Sequence, residues 1–242
     1  MKQVFARNKV HLNEPFCLDE KQAHHIFDVL RSSPKETIRL VQDGEVYLAH
    51  PQEKPYLFVF GQEKAEPRLV NVTLCAALIK QDRWEWMLQK ACELGVSQIV
   101  PFVSDNTVIH LDEKKLAKKY ERWQSVLEAA CKQCNRSDFV VLEPVCSLQG
   151  LKEYRSECSL VAYEKEDGSN HIACVLSDSP SSVTAVIGPE GGFRPSEIET
   201  LEAMGFTPCS LGSLILRAET AAMYILAVIE YQSHLLPCAQ QA

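Results

Sequence analysis

At 242 residues the chain is long enough for one large domain or two small ones, each with a real core. Its apolar share of 46% and charged share of 24% are those of soluble globular proteins, which excludes a disordered or fibrous chain. The net charge of −7 excludes a uniformly basic, nucleic-acid-coating surface, because phosphate contacts need Lys and Arg.

In chain order, residues 1–16 lack the uninterrupted apolar core of a secretory signal. Asp19–Arg31 then places Ala23, Ile26, Phe27 and Leu30 at amphipathic-helix spacing. Thr37–Val41 and Glu45–Ala49 are strand-like and flank Asp43-Gly44, a short-hairpin pair. Tyr56–Phe60 is a further strand, and the charged stretch Gly61–Pro67 is predicted to be a linker. Up to residue 70 the ten basic and ten acidic groups balance, and the elements describe a small, mostly β module.

Beyond residue 70 strands alternate with helices. Val72–Ile79 is followed by a helix over Arg83–Leu94, closed at Gly95. Ser97–Val103 leads into a long helix over Glu113–Cys134. Residues 114–136 carry Lys114, Lys115, Lys118, Lys119, Arg122, Lys132 and Arg136 against Glu121 and Glu128, a local excess of seven over two. Such a stripe on an acidic protein suits either RNA or a solvated helix face. Phe139–Val145, Ser159–Tyr163 and Val183–Ile187 are predicted strands. Ser196 and Glu199 form a capping-box pair for a helix stopped at Gly205, and a last helix runs from about Ala218 to Leu235. The alternation predicts an α/β fold, a mainly parallel sheet with helices on both faces and ligands at the carboxyl ends of the strands.

Three segments carry chemistry. Ile187–Arg194, IGPEGGFR, leaves a buried strand for a helix with three glycines around one acid. Glycines let main-chain groups approach a ligand closely. The segment lacks the P-loop lysine and the dinucleotide glycine spacing, which sets aside a triphosphate or a nicotinamide oxidoreductase. Leu211–Thr220 again joins a strand, Thr207–Ser210, to a helix, and two such turns could hold one flat ligand between them. Arg217 and Glu219 flank that helix start, where the dipole favours the acid but not the arginine. Third, Lys80 and Arg83 stand where a strand ends, ahead of Trp84 and Trp86. Cys131 and Cys134 within one helix lack a second ligand pair, and adjacent His24 and His25 point apart, so no metal site is expected. No apolar stretch approaches the roughly 20 residues of a membrane span. Ten cysteines without a framework suit a reducing, cytoplasmic setting.

Taken together, K-x-D-R…Q-K-x-x-E-L-G-V, A-A-C-x-Q-C-x-R, I-G-P-E-G-G-F and L-G-x-x-I-L-R-x-E-T, in this order, resemble the RsmE family of 16S rRNA uridine-N3 methyltransferases. His24-His25-Ile26 with Val29-Leu30-Arg31 resembles that family's N-terminal helix. The resemblance implies a PUA-like RNA-binding barrel over residues 1–68 and a SPOUT domain with a C-terminal trefoil knot over residues 69–242. It also implies a homodimer, a partner in 16S rRNA of the small ribosomal subunit, and S-adenosylmethionine as cofactor. Tyr163, Glu164, Gly188, Glu190, Gly191, Gly192, Leu211, Gly212, Ser213 and Leu216 are then expected to hold the cofactor. His24, Arg31, Lys80, Arg83, Lys90 and Lys132 are expected on RNA, and Arg217, Glu219 and Arg136 at the reacting base. Three positions depart from the family pattern: Leu214 stands where an arginine is usual, Ala218 where a threonine is, and Asn135 where a glycine is. Leu214 and Ala218 favour one alternative, a catalytically silent RNA-binding assembly factor; a second alternative is a SPOUT enzyme acting on another RNA position.

Overall fold

The computed structural model describes residues 2–65, 68–107, 113–166, 170–176 and 180–239. Contacts divide the chain into two units, Met1–Pro67 with Cys131–Phe139, and Arg68–Ala130 with Val140–Ala242.

In the first unit, β1 (Lys2–Phe5), β2 (Pro15–Cys17), β3 (Ile38–Gln42), β4 (Glu45–Pro51) and β5 (Tyr56–Glu63) form one sheet in the order β1-β3-β4-β5-β2. Only β1–β3 is parallel. Alternation turns Ile38, Leu40, Leu57 and Val59 inward, where they meet Val4, Phe16, Ala23 and Ile26. Asp43 (φ 51°) and Gly44 (φ 84°) make the expected two-residue turn. Two expectations change. Gly61, Gln62 and Glu63 extend β5 instead of forming a linker, because the ladder with Val46–Leu48 continues past the apolar run; a register shift at Leu48/Ala49 accommodates it. Glu66 and Pro67 lie outside the described residues. The predicted helix over Asp19–Arg31 starts as α1 (Glu20–Ala23), capped reciprocally by Asp19 and Gln22, and then widens into π-turns over His24–Val29. The wider turn, closed by Leu30 N–H to His25 C=O at 2.9 Å, leaves Leu30 exposed instead of on the buried stripe. The Cys131–Phe139 segment joins this unit through Gln3 Nε2, which donates to the Arg136 carbonyl at 2.7 Å, and through Phe139 on Phe5.

In the second unit, β6 (Asn71–Ala77), β7 (Gln98–Val103), β8 (Val141–Leu142), β10 (Cys158–Ala162), β11 (Ser182–Ile187) and β12 (Thr207–Cys209) form a sheet in the order β12-β10-β11-β6-β7-β8, with β9 (Cys146–Ser147) also on β7. Every pair is parallel. Strands buried on both faces read as continuous apolar runs, which is why Val183–Ile187 and Val72–Ile79 were legible. One face packs Cys75, Val100, Phe102, Val161 and Val186 under α5 (Pro195–Ala203) and the 3₁₀ turns Leu148–Tyr154. The long C-terminal helix α6 (Ala218–Ala239) packs on β6, β11 and α2 (Gln81–Glu93). Helix α3 (Glu113–Gln133) docks through Trp123, tilted on Trp84 at 5.3 Å. A short helix α4 (Ile172–Val175), unforeseen, precedes β11.

Two further expectations are corrected. Phe139–Val145 is not one strand: Pro144, which cannot donate to a ladder, separates β8 from β9, and Phe139 belongs to the first unit. Helix α5 begins earlier than a Ser196 cap, with Pro195 at its first position and the Glu197 carboxylate accepting from Arg194 N–H at 2.9 Å. Among the described residues no helix is long and apolar enough to cross a membrane.

Candidate functional site

β10, β11 and β12 lie side by side, so their carboxyl ends open on the same edge of the sheet. Each ends in a segment singled out from sequence: Tyr163-Glu164 after β10, Gly188–Gly192 after β11, Leu211–Leu216 after β12. All three line one cleft of about 500 Å³, within the usual size of a small-molecule site. Every residue expected to hold the cofactor is among its walls, from Tyr163 and Glu164 through Gly188, Glu190, Gly191 and Gly192 to Leu211, Gly212, Ser213 and Leu216. Ile187, Ala162 and Ala221 add apolar surface.

Two glycines are fixed by geometry. Gly192 has φ 67°, and a Cβ there would lie 2.9 Å from Glu164 Oε1. Gly212 has φ 121° with open space where a side chain would stand, so this turn brings bare backbone to the cleft. Among the described residues, the amides of Leu214, Ile215 and Leu216 make no backbone hydrogen bond, leaving main-chain donors for a ligand. The site therefore reads a small molecule mainly through backbone and apolar walls. It has no lysine on its lining, and its charged groups are Glu164, Glu190, Arg83 and Arg217. A polyphosphate would find two acids there; a flat ring with a cationic tail finds a match.

Arg217 is exposed at the cleft wall and makes no ion pair with any described residue. Two residues on, Glu219 is 13% exposed, its Oε1 lies 3.7 Å from Arg83 Nε, and its Oε2 is buried without a hydrogen bond. Arg83 Nη1 lies 3.9 Å from Glu190 Oε1, which also accepts from Lys80 N–H at 3.3 Å. The remaining expected residues are placed elsewhere. His24 pairs with Asp28 at 2.8 Å and Lys90 with Glu93 at 2.8 Å, while Arg31 is exposed. Arg136 belongs to the first unit, paired with Asp138 at 3.3 Å, and Lys132 stands near it in sequence on the end of α3. Lys114 and Lys115 lie outside the residues whose side chains are described.

The sequence missed the support beneath the glycine turn. Asn106 Nδ2 donates to the carbonyls of Gly191 (3.4 Å) and Gly192 (3.0 Å). Buried Glu197 accepts from Ser104 Oγ at 2.8 Å and Asp105 N–H at 3.0 Å, besides Arg194 N–H, and Arg194 in turn meets Asp105 at 3.0 Å. Apart from the local Arg194–Glu197 bond, these join residues some ninety positions apart, and no local pattern marks them. A weak hint existed in Glu197 itself, an acid at a helix start beside Pro195.

A family model described as an RNA methyltransferase domain matches residues 65–230. The ribosomal RNA small subunit methyltransferase E of Bacillus subtilis is 32% identical over 234 residues, covering 91% of this chain and 91% of that protein. That of Rickettsia conorii is 30% identical over 237 residues, covering 92% and 94%. Among solved structures, a ribosomal RNA small subunit methyltransferase E from Neisseria gonorrhoeae bound to S-adenosyl methionine superposes with a TM-score of 0.83 at 26% identity, covering 96% of this chain and 97% of that one. A methyltransferase from Legionella pneumophila with bound SAM gives the same TM-score and identity over 95% and 96%. With two thirds of its length inside the RNA methyltransferase model and relatives matched nearly end to end, the chain belongs to the ribosomal RNA small subunit methyltransferase E family.

Proposed function

We propose that this protein transfers a methyl group from S-adenosylmethionine to N3 of a uridine in 16S rRNA of the small ribosomal subunit. The carrying observation is that the three strand-end segments line a single cleft, with glycine backbone and open amides facing it. The residues fit the donor. Leu211, Leu216 and Ile187 offer apolar walls for the adenine, the Leu214–Leu216 amides and the bare Gly212 backbone offer main-chain contacts, and Glu164 and Glu190 suit a cationic ligand. Bound there, the donor supplies a sulfonium-activated methyl group.

The chain's own residues then do the rest. Uracil N3 carries a proton at neutral pH and must lose it for attack, so the site needs a proton acceptor and a positive charge beside O2 or O4. Glu219, whose buried Oε2 has no hydrogen-bond partner, is assigned the proton, directly or through a water; Arg217, free of ion pairs among the described residues, is assigned the developing charge. In a homodimer, Arg136 would approach the same base from the second copy. N3 is normally paired, so the uridine is taken unpaired or flipped out. His24, Arg31 and Lys132 in the first unit, with Lys80 and Lys90 in the second, are the proposed RNA contacts. The sheet of the first unit supports a PUA-like RNA-binding domain ahead of a SPOUT domain from residue 69. The family match supports a C-terminal trefoil knot, and the reading implies a cytoplasmic protein.

Titration calorimetry with S-adenosylmethionine is expected to give one site per chain. Mass spectrometry of 16S rRNA nucleosides is expected to lose 3-methyluridine when the gene is deleted. An unchanged nucleoside profile would refute the assignment. The silent RNA-binding factor is favoured by the departures at Leu214, 78% exposed on the cleft wall, and at Ala218, also on its lining. Absence of heat with S-adenosylmethionine would select it.

A further inference from the structure

Among the described residues, Glu219 is the one carboxylate with a buried oxygen that lacks a hydrogen bond. Such an orphan costs stability, so its persistence asks for a functional reason. Its other oxygen faces Arg83 at 3.7 Å, and the same guanidinium stands 3.9 Å from Glu190. Both separations exceed hydrogen-bond length, so Arg83 acts as one charge shared by two acids. It lines the cleft, as do Arg217, Ala218 and Ala221 around Glu219. Lys80 N–H, donating to Glu190 at 3.3 Å, ties the same start of α2 to the glycine turn a second time.

An arginine that grips RNA phosphate is free to leave its neighbours; this one stands between two carboxylates. We propose that Arg83 is a positioning residue of the transfer site and not a contact to the RNA backbone. It offsets Glu190 and Glu219 together, holds the first turn of α6 beside the glycine turn, and leaves the buried Glu219 Oε2 as the acceptor without a hydrogen-bond partner. The inference rests on the methyl-transfer reading above and adds a residue to it.

The test uses the full-length chain, its Arg83→Ala and Arg83→Lys variants, Glu219→Gln, and the Arg83→Ala/Glu219→Gln double variant. Wild-type transfer is measured first: none at all removes the functional reading and this inference with it. Given wild-type transfer, Arg83→Ala is expected to lower kcat by between about tenfold and a hundredfold, the scale of a misplaced reacting group, with the KM for RNA within about threefold. Arg83→Lys is expected to recover much of that kcat by restoring the charge. The double variant is expected to be no slower than Glu219→Gln alone, because coupled residues are non-additive. The salt dependence of RNA binding is expected to stay unchanged, whereas loss of a phosphate contact lowers its slope by about 0.9. A lowered slope with kcat intact, additive effects in the double variant, or no rescue by lysine would each overturn the proposal.

Discussion

Arg217 and Glu219 lie two residues apart at the start of α6 yet meet different surroundings: one exposed, the other nearly enclosed beside Arg83. That contrast suits an electrostatic group and a proton acceptor. Arg217→Ala is expected to leave donor affinity by calorimetry within about twofold while lowering methyl transfer by about a hundredfold to a thousandfold, as loss of one charge-stabilising donor does. Retained transfer would remove Arg217 from the mechanism. Gly192→Ala forces a side chain into left-handed backbone and onto Glu164; it is expected to cost roughly 1–2 kcal/mol in denaturant unfolding and to weaken donor binding. At the end of β12, burial pushes the Cys209 thiol up to about 12, with Cys158 and Glu166 adding to it. Native Cys209 is therefore expected to resist iodoacetamide at pH 8 and react only after unfolding, as peptide mapping will show. That Arg217 and the glycines line one cleft was legible, because residue type and strand-to-helix position suffice for that much. The position of Arg83 between Glu190 and Glu219 was not legible, because both acids are remote from it in sequence.

Elements are held to one another by a few polar ties over apolar contact. Between α2 and α3, Arg122 Nη2 donates to Glu85 Oε2 at 2.7 Å, and this hydrogen bond holds the Glu85 carboxyl below its usual value of 4.5. A depressed acid contributes stability above its unfolded pKa and loses it as pH falls through the folded one. Glu85→Gln is thus expected to lower unfolding stability at pH 7, with the difference from wild type closing below pH 4.5. A gap that persists into acid would assign the effect to packing. Glu197 ties α5 to the segment after β7. Glu197→Ala removes the acceptor of three donors, two backbone and one hydroxyl, and is expected to destabilise the fold by about 3 kcal/mol or more and to loosen the glycine turn. The helix pattern foretold α2, α3 and α6 well. It failed at Asp19–Arg31, where the helix widens into π-turns, and the strand reading failed at Phe139–Val145, where one proline outweighed an apolar run.

At the scale of the whole molecule, a cofactor that binds only the folded second unit must stabilise it. S-adenosylmethionine at a hundred times its Kd is expected to add about 2.7 kcal/mol, raising the melting temperature by roughly 5–10 °C in calorimetry. Sedimentation is expected to report a homodimer; a monomer at micromolar concentration would exclude Arg136 of a second copy from the chemistry. By itself the sequence determined the alternating β/α order, the two glycine turns and the resemblance to one methyltransferase family, because periodicity, glycine placement and motif spacing are local properties of the chain. Only the tertiary structure decided that Cys131–Phe139 returns to the first unit, that Arg83 stands between two acids, and that Asn106 and Glu197 brace the glycine turn. Those are contacts between residues far apart in sequence, created by the parallel strand order, and no window along the chain contains both partners.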